Sequence, residues 1–91
     1  MTIIIQEDSF SISKLILELS EKDNVGAVVS FSGYVREFSK EKQLKYMELE
    51  HYPGMTEKAL ESIVQKAKSH WDIEQTTIIH RVGKLLPKDI I

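Results

Sequence analysis

The chain has no cysteine, which excludes disulfide bonds, thiolate metal sites and thiol nucleophiles. Only four of its 91 residues are glycine and two are proline, too few for a collagen-like or low-complexity protein. Twelve Lys and Arg nearly balance fourteen Asp and Glu, for a net charge of -2, so we predict neither a general nucleic-acid binder nor a membrane-surface protein. No apolar run is long enough to span a bilayer, and residues 1–10 lack the pattern of a secretory signal. The cytoplasm is therefore the expected compartment.

Chemical signatures of several large enzyme classes are also missing. The sequence contains no G-x-S-x-G, no P-loop and no G-x-G-x-x-G. The carboxylates are scattered and form no recognisable acid/base pair. Ser30 and Ser32 flank an apolar residue, but no partner base can be argued for either of them. The whole sequence is 42% hydrophobic and 29% charged, which is typical of one small globular domain over residues 1–91.

The first half of the chain predicts strand, helix, strand and loop. Thr2–Gln6 is rich in β-branched residues and predicts a strand. Ser9 and Ser11 are candidate N-caps for a helix that ends near Ser20, with one apolar face made by Ile12, Leu15, Ile16 and Leu19. Ala27–Phe31 is a nearly continuous apolar run and predicts a strand buried on both faces, with Gly33 at its far end. Glu37–Gln43 is polar and predicts a mobile loop.

The second half predicts a strand, a helix and another strand. Lys45–His51 alternates, which indicates a strand with one solvent-facing side, and Pro53-Gly54 predicts a turn. Thr56 is the predicted cap of a second helix, whose apolar stripe is Ala59, Leu60, Ile63, Val64, Ala67 and Trp71. Thr76–Leu85 predicts one strand, and Leu86-Pro87-Lys88-Asp89 a turn.

Two isoleucines, Ile90 and Ile91, follow that turn. They are either buried packing residues or the opening of one more strand. The predicted order is β-α-β-β-α-β with a final strand cut short. This order places the chain in the mixed α+β class.

Three histidines have spacings that match no metal motif, and we predict no metal site. His70 is expected at a helix C-terminus, where a partly charged imidazole suits the helix dipole. His51 and His80 each fall on an otherwise apolar strand face, where a hydrogen-bonded core or interface residue is the commoner role.

Arg36 is the residue most suggestive of a ligand. It follows the apolar run at the point where a predicted strand gives way to loop, and Lys40, Lys42 and Lys45 follow shortly after it. A guanidinium there can hold a phosphate or carboxylate through two hydrogen bonds. The alternative is an ordinary solvated basic loop, and spacing alone does not decide between the two.

Three segments together carry a family resemblance. Residues 26–37 read GAVVSFSGYVRE, residues 49–59 read LEHYPGMTEKA, and residues 79–83 read IHRVG. In this order and spacing they resemble the large, catalytic subunit of molybdopterin synthase, the MoaE family, over essentially the whole chain. The resemblance implies an α/β-hammerhead fold and a role in molybdenum cofactor biosynthesis.

The family's reaction is a sulfur transfer. The resemblance implies a cyclic pyranopterin monophosphate as substrate, and a ubiquitin-like small subunit as sulfur donor through a thiocarboxylate on its C-terminal glycine. Two transfers give the dithiolene of molybdopterin, without a metal or organic cofactor. The large subunit is expected to form a homodimer with one small subunit at each end, which makes a heterotetramer.

Site residues carry over only where the motif matches. Tyr34-Val35-Arg36 aligns with the family's first substrate-binding stretch, which assigns Arg36 to the phosphate and leaves Tyr34 a backbone role. His80 and Arg81 precede the family's substrate-binding His-Arg pair and are expected to be structural or interface residues. His51 and Tyr52 are expected to shape the strand and turn.

The family's essential lysines lie beyond Ile91, so no catalytic residue is expected in these 91 positions. Lys84 and Lys88 do not replace those lysines by alignment. The Ile-Ile pair aligns with the start of the family's next strand.

Two hypotheses follow. The chain is part of a functional synthase and inactive alone, or it is a naturally short, non-catalytic remnant that dimerises or binds the small subunit. An incomplete sheet would leave an exposed edge and apolar surface, and predicts a dimer or larger species.

Overall fold

Three two-stranded sheets and two helices make up the described part of the chain in the computed structural model, which covers residues 1–39, 42–43 and 45–91. In chain order the elements are β1 (Thr2–Gln6), α1 (Ile12–Ser20), β2 (Phe38–Ser39), β3 (Lys42–Gln43), β4 (Met47–Leu49), α2 (Met55–His70), β5 (Thr77–Arg81) and β6 (Gly83–Leu85). The mixed α+β class predicted from the sequence is confirmed.

The sheet of β1 and β5 pairs the first strand of the chain with a strand that lies about 75 residues later. The strands run parallel, with Thr2 opposite Thr77 and Gln6 opposite Arg81. Val82 extends the pairing, since its N–H donates to the Gln6 carbonyl at 2.9 Å. Parallel strands need a long crossover, and here the crossover contains both helices. Helix α2 packs against β1.

Gly83 divides the predicted strand Thr76–Leu85 into two, so that prediction was wrong in one respect. Its φ of 85° lies in the left-handed region, which a continuous strand cannot contain. The chain leaves β1 at this point and enters a second sheet, in which β6 runs antiparallel to β4 with Met47 opposite Leu85. One apolar segment therefore serves two sheets.

Helix α1 ends at Ser20 as predicted, and its N-cap is Ser11, one of the two candidates, whereas Ser9 lies before the helix. The Ser11 hydroxyl accepts a hydrogen bond from the Lys14 N–H at 3.3 Å, which satisfies one of the free donors at the helix start. The predicted apolar face is half-buried toward β5 and the segment before β2. Leu17 lies outside that face and is exposed.

Helix α2 begins one residue before the predicted cap, so Thr56 is a first-turn residue and that prediction was wrong. The N-cap is Gly54, whose φ of 85° ends the Pro53-Gly54 turn, and its N–H donates to the Glu57 carboxylate. Thr56 instead binds back to the Tyr52 backbone. His70 ends the helix as predicted, with Nδ1 2.9 Å from the Lys66 carbonyl.

The apolar stripe of α2 is only partly covered by the rest of the chain. Val64 is buried, and Leu60 and Ala67 are half-buried. Ile63 and Trp71 from the same predicted stripe are exposed. Helical spacing therefore identified the face of the helix correctly but overestimated how much of it is buried.

Ala27–Phe31 is not a strand buried on both faces, and this prediction was wrong. Within the described residues, no backbone group of 27–32 bonds to a neighbouring strand. Val29 is 94% exposed and Phe31 is 99% exposed. A strand requires a partner for its ladder, and apolar composition alone does not supply one.

The predicted loop Glu37–Gln43 contains a short hairpin, with Phe38 opposite Gln43. Lys40, one of the predicted basic residues, lies outside the described residues, as does the side chain of Lys42. Lys45 is exposed.

The buried core of the described residues is small and consists of Val35, Val64, Val82 and Leu85. The radius of gyration is 15.1 Å, above the roughly 12 Å typical of a domain of this length. The molecule is elongated, with extents of 45 × 28 × 23 Å. No helix in the described residues combines the length and apolar character needed to cross a membrane.

Candidate functional site

Residues 33–36 form the backbone of the candidate site. Val35 is anchored on both of its polar groups: its N–H donates to the Asp89 carbonyl at 2.9 Å, and its carbonyl accepts from the Lys88 N–H at 2.8 Å. Its side chain is buried and belongs to the core. The neighbouring Tyr34 forms a bridge with Ile90 and is half-exposed. The stretch is therefore a short antiparallel pairing with the residues that end the chain.

Arg36 follows this anchored stretch and is exposed. Among the described residues, its guanidinium forms no ion pair or hydrogen bond. A hydrogen-bonded backbone at Val35 thus leads directly into an arginine that is exposed to solvent. Such a group can bind a phosphate or carboxylate by donating charge-assisted hydrogen bonds to it.

Lys88 adds a second cation on the adjacent backbone segment. Its ammonium lies 2.9 Å from the Glu37 carboxylate, and both side chains are largely exposed. The hydrogen bond to Glu37, together with its charge, raises the pKa of Lys88 above its ordinary value. Lys88 also has a φ of 75° within the turn 86–89, which Asp89 closes by accepting the Leu86 N–H at 2.9 Å. The predicted turn is confirmed.

Beneath this turn lies Arg81, whose side chain is 11% exposed. Its Nε donates to the Glu7 carbonyl at 3.0 Å, and its Nη1 donates to the Ile90 carbonyl at 3.0 Å. The Asp89 carboxylate lies 4.0 Å from Nη1. These contacts are of the kind expected for the structural or interface role predicted for Arg81.

The histidines lie apart from this stretch. His80 belongs to β5 and borders a cavity of about 520 Å³ between α1, β5 and residues 28–33. His51 lies before α2, and its buried Nδ1 has no hydrogen-bond partner among the residues that the structure describes. This atom lies 3.8 Å from the Glu57 carboxylate. Within the ranges that the structure describes, no three side chains of the metal-ligating types come together.

Ile90 and Ile91 are among the residues that line this apolar cavity. Both isoleucines are half-buried, and the Ile91 N–H donates to the Gly33 carbonyl at 2.9 Å. The pair thus combines the two roles predicted for it, since it packs and also begins a strand pairing. A second cavity of about 590 Å³ lies between residues 25–29 and 71–76.

Sequence reasoning missed the contacts of Lys88 with Val35 and Glu37, and those of Arg81 with the backbone of Glu7 and Ile90. Lys88 was recognised as a turn residue, but its pairing with Glu37 depends on a backbone pairing distant in sequence. Arg81 binds two backbone carbonyls, and carbonyls have no residue-specific signature.

Comparison with known proteins gives a consistent result. The family model described as MoaE protein matches residues 5–91. The chain is 47% identical to the molybdopterin synthase catalytic subunit of Salmonella typhimurium over 89 residues, covering 98% of this chain and 59% of the relative. It is 48% identical to the catalytic subunit of Ralstonia nicotianae over 91 residues, covering 99% and 52%.

A solved structure agrees with these sequence relatives. The molybdopterin biosynthesis MoaE protein from Burkholderia ambifaria superposes with a TM-score of 0.86 at 45% identity, covering 99% of this chain and 58% of that one. The chain thus spans 52–59% of the length of these relatives. The resemblance carried by residues 26–37, 49–59 and 79–83 is confirmed, and the chain belongs to the MoaE family.

Proposed function

We propose that this chain is the N-terminal part of a molybdopterin synthase catalytic subunit and serves the sulfur transfer that makes molybdopterin. The proposed substrate is a cyclic pyranopterin monophosphate. The proposed sulfur donor is the C-terminal thiocarboxylate of a small ubiquitin-like subunit. The names of relatives at 47% and 48% identity support the activity, and the proposed compartment is the cytoplasm.

The observation that carries the site is the exposed Arg36 at the end of an anchored backbone. We propose that Tyr34, Val35 and Arg36 form the substrate-binding stretch. Because Val35 is buried, its contribution is to fix the backbone, and the guanidinium of Arg36 binds the phosphate. Tyr34 borders the same surface. The sulfur comes from the partner, so this stretch holds the substrate and does not itself supply the nucleophile.

Calorimetric titration with the cyclic pyranopterin monophosphate tests the assignment. Arg36→Ala should weaken binding by about 2 kcal/mol, or about 30-fold, the order expected for a hydrogen-bonded charged partner. Lys22→Ala is the matched control, because it removes an exposed cation after α1 and should leave affinity unchanged. A dephosphorylated pterin should bind equally to the parent chain and to Arg36→Ala. Equal affinity of both proteins for the phosphorylated substrate would remove Arg36 from the site.

A second candidate function is binding and assembly without turnover. The exposed apolar side chains of Val29 and Phe31, on a segment without a strand partner in the described residues, favour it. Such surface promotes self-association or docking of another chain. We propose a dimer or larger species, in line with the homodimer and heterotetramer implied by the family.

Light scattering at tens of micromolar tests this candidate, and a monodisperse monomer would contradict it. Phe31→Ser should shift the distribution toward monomer, because it removes the most exposed large apolar side chain. Leu17→Ser, on the outer side of α1, is the control for general loss of apolar surface. Mixing the chain with the thiocarboxylated small subunit and the pterin then distinguishes the two functions. Sulfur transfer to the pterin supports the enzyme, whereas a complex that forms without product supports binding and assembly without turnover.

A further inference from the structure

Arg81 holds three backbone segments together through one partly buried guanidinium. It projects from β5, binds the Glu7 carbonyl after β1 with Nε, and binds the Ile90 carbonyl with Nη1, each at 3.0 Å. Its side chain is 11% exposed, and the Asp89 carboxylate lies 4.0 Å away. Hydrogen bonds donated by a charged group are stronger than neutral ones. The guanidinium therefore ties residues 89–90 to the β1–β5 sheet.

Residues 88–91 are in turn the partner of the candidate substrate-binding stretch. They contribute the Asp89 carbonyl and the Lys88 N–H to Val35, and the Ile91 N–H to Gly33. Among the described residues, these three bonds account for the backbone pairing of 33–35, and two of them make up the Tyr34–Ile90 bridge. The position of Arg36 consequently depends on where residues 88–91 are held.

We propose that Arg81 is a positioning residue for substrate binding, which acts through residues 88–91 on Val35 and so on Arg36. This inference rests on the proposed function of Arg36. Arginine suits the task because its planar fork presents several donors in fixed directions. A lysine at position 81 has one nitrogen and cannot reproduce both the Nε and the Nη1 contact. Arg81 itself does not touch the substrate.

A merely stabilising role makes a different prediction. In that case, any variant with the same loss of stability would bind substrate as the parent chain does, once it is folded. Val64→Ala is the matched control, since Val64 is a buried core residue on α2, outside the contacts that link Arg81 to Arg36. The comparison is made at a temperature where urea titration shows each protein to be folded.

The first readout is affinity for the cyclic pyranopterin monophosphate, measured by calorimetry on the 91-residue chain. Arg81→Ala should weaken binding about tenfold, Arg81→Lys should lie between it and the parent chain, and Val64→Ala should match the parent chain. In an Arg36→Ala background, Arg81→Ala should have no further effect, because its influence passes through Arg36. Unchanged affinity, or effects of the two arginine variants that simply add, would overturn the proposal.

The second readout is amide hydrogen exchange and needs no ligand. Arg81→Ala or Arg81→Lys should speed exchange at Val35 and Ile91, whereas the Val82 amide, bonded to Gln6, should stay protected. If Arg81→Ala does not fold, Arg81→Lys carries both readouts. Unchanged exchange at Val35 would refute the positioning role. If the parent chain fails to bind the substrate, the proposed function fails, and exchange still decides whether Arg81 fixes residues 33–35.

Discussion

Replacing Gly83 by alanine tests whether the switch between the two sheets depends on backbone conformation. Gly83 has a φ of 85°, and a Cβ at this position would lie 3.3 Å from the Glu7 carboxylate oxygen. A left-handed residue with a Cβ costs about 1–2 kcal/mol. The Glu7 side chain is flexible and exposed, so it can move aside at little further cost. We expect Gly83→Ala to lower the free energy of unfolding by about 1–2 kcal/mol.

Gly26→Ala is the control for this prediction. Both substitutions reduce the conformational entropy of the unfolded chain equally. Gly26 does not have a positive φ, and a Cβ there meets nothing within 4 Å. The difference between the two variants therefore isolates the strain in the folded state. Gly26→Ala itself should be neutral or slightly stabilising.

Urea unfolding followed by circular dichroism measures the effect. With a slope of about 1 kcal/mol per molar urea for a small domain, the midpoint of Gly83→Ala should fall about 1–2 M below that of Gly26→Ala. Gly83→Asn should recover part of the loss, because asparagine tolerates the left-handed region. When Glu7 is also replaced by alanine, most of the stability lost through Gly83→Ala should still be lost, because the backbone strain at position 83 does not depend on the Glu7 side chain. Equal midpoints for the two glycine variants would refute the reasoning.

Two further predictions concern the core and the turn beside the candidate site. Leu85→Ala should lower the free energy of unfolding by about 2–5 kcal/mol, because Leu85 is fully buried. Leu86→Ala, at the exposed neighbouring position, should lower it far less. Calorimetric melting measures both variants, and similar losses of stability would contradict the core assignment. Lys88→Met should remove a small stabilising contribution at pH 7 that comes from pairing with Glu37. Because the pKa of Lys88 is raised in the folded state, that contribution is fully present below the pKa of lysine in the unfolded chain and disappears as pH rises through the higher folded pKa. Urea unfolding of both proteins across this range should show their difference vanish, and a difference that persists at high pH would speak against the ion pair.

Local signals in the sequence were sufficient for α1 and β1, and for α2 apart from its cap. Ser11 and the apolar face of α1 gave the bounds of that helix, because capping and helical periodicity are properties of neighbouring residues. Strand Thr2–Gln6 was predicted for the same reason. Thr56 was wrongly taken as the cap of α2, because a glycine N-cap uses no side chain and therefore leaves a weaker signal.

Pairing between distant segments could not be predicted in the same way. The apolar composition of Ala27–Phe31 indicated a buried strand, but a ladder also needs a neighbour, and the described residues supply none. Thr76–Leu85 was continuous by composition, yet the conformation of Gly83 divides it. Both errors arise because strand formation depends on contacts that sequence spacing does not contain.

The candidate site was predictable only in its exposed part. The position of Arg36 after an apolar run favoured an anion-binding role, and the family resemblance assigned it to the phosphate. The support beneath it was not predictable, because Arg81 reaches the backbone of Glu7 and Ile90 rather than any distinctive side chain. The anion-binding role of the site was therefore predictable from the sequence, whereas the contacts that hold its backbone in place were not.

The parallel pairing of β1 with β5 has a consequence for synthesis of the protein. The first strand of the chain emerges from the ribosome early, but its partner is Thr77–Arg81. Because translation adds about 5–20 residues per second, several seconds pass between the synthesis of β1 and that of β5. During that interval three consecutive isoleucines, Ile3–Ile5, are available to chaperones or to other nascent chains. Until residues 77–81 emerge, these isoleucines lie on an unpaired strand, and the nascent chain lacks the partner that covers one edge of β1 in the folded molecule.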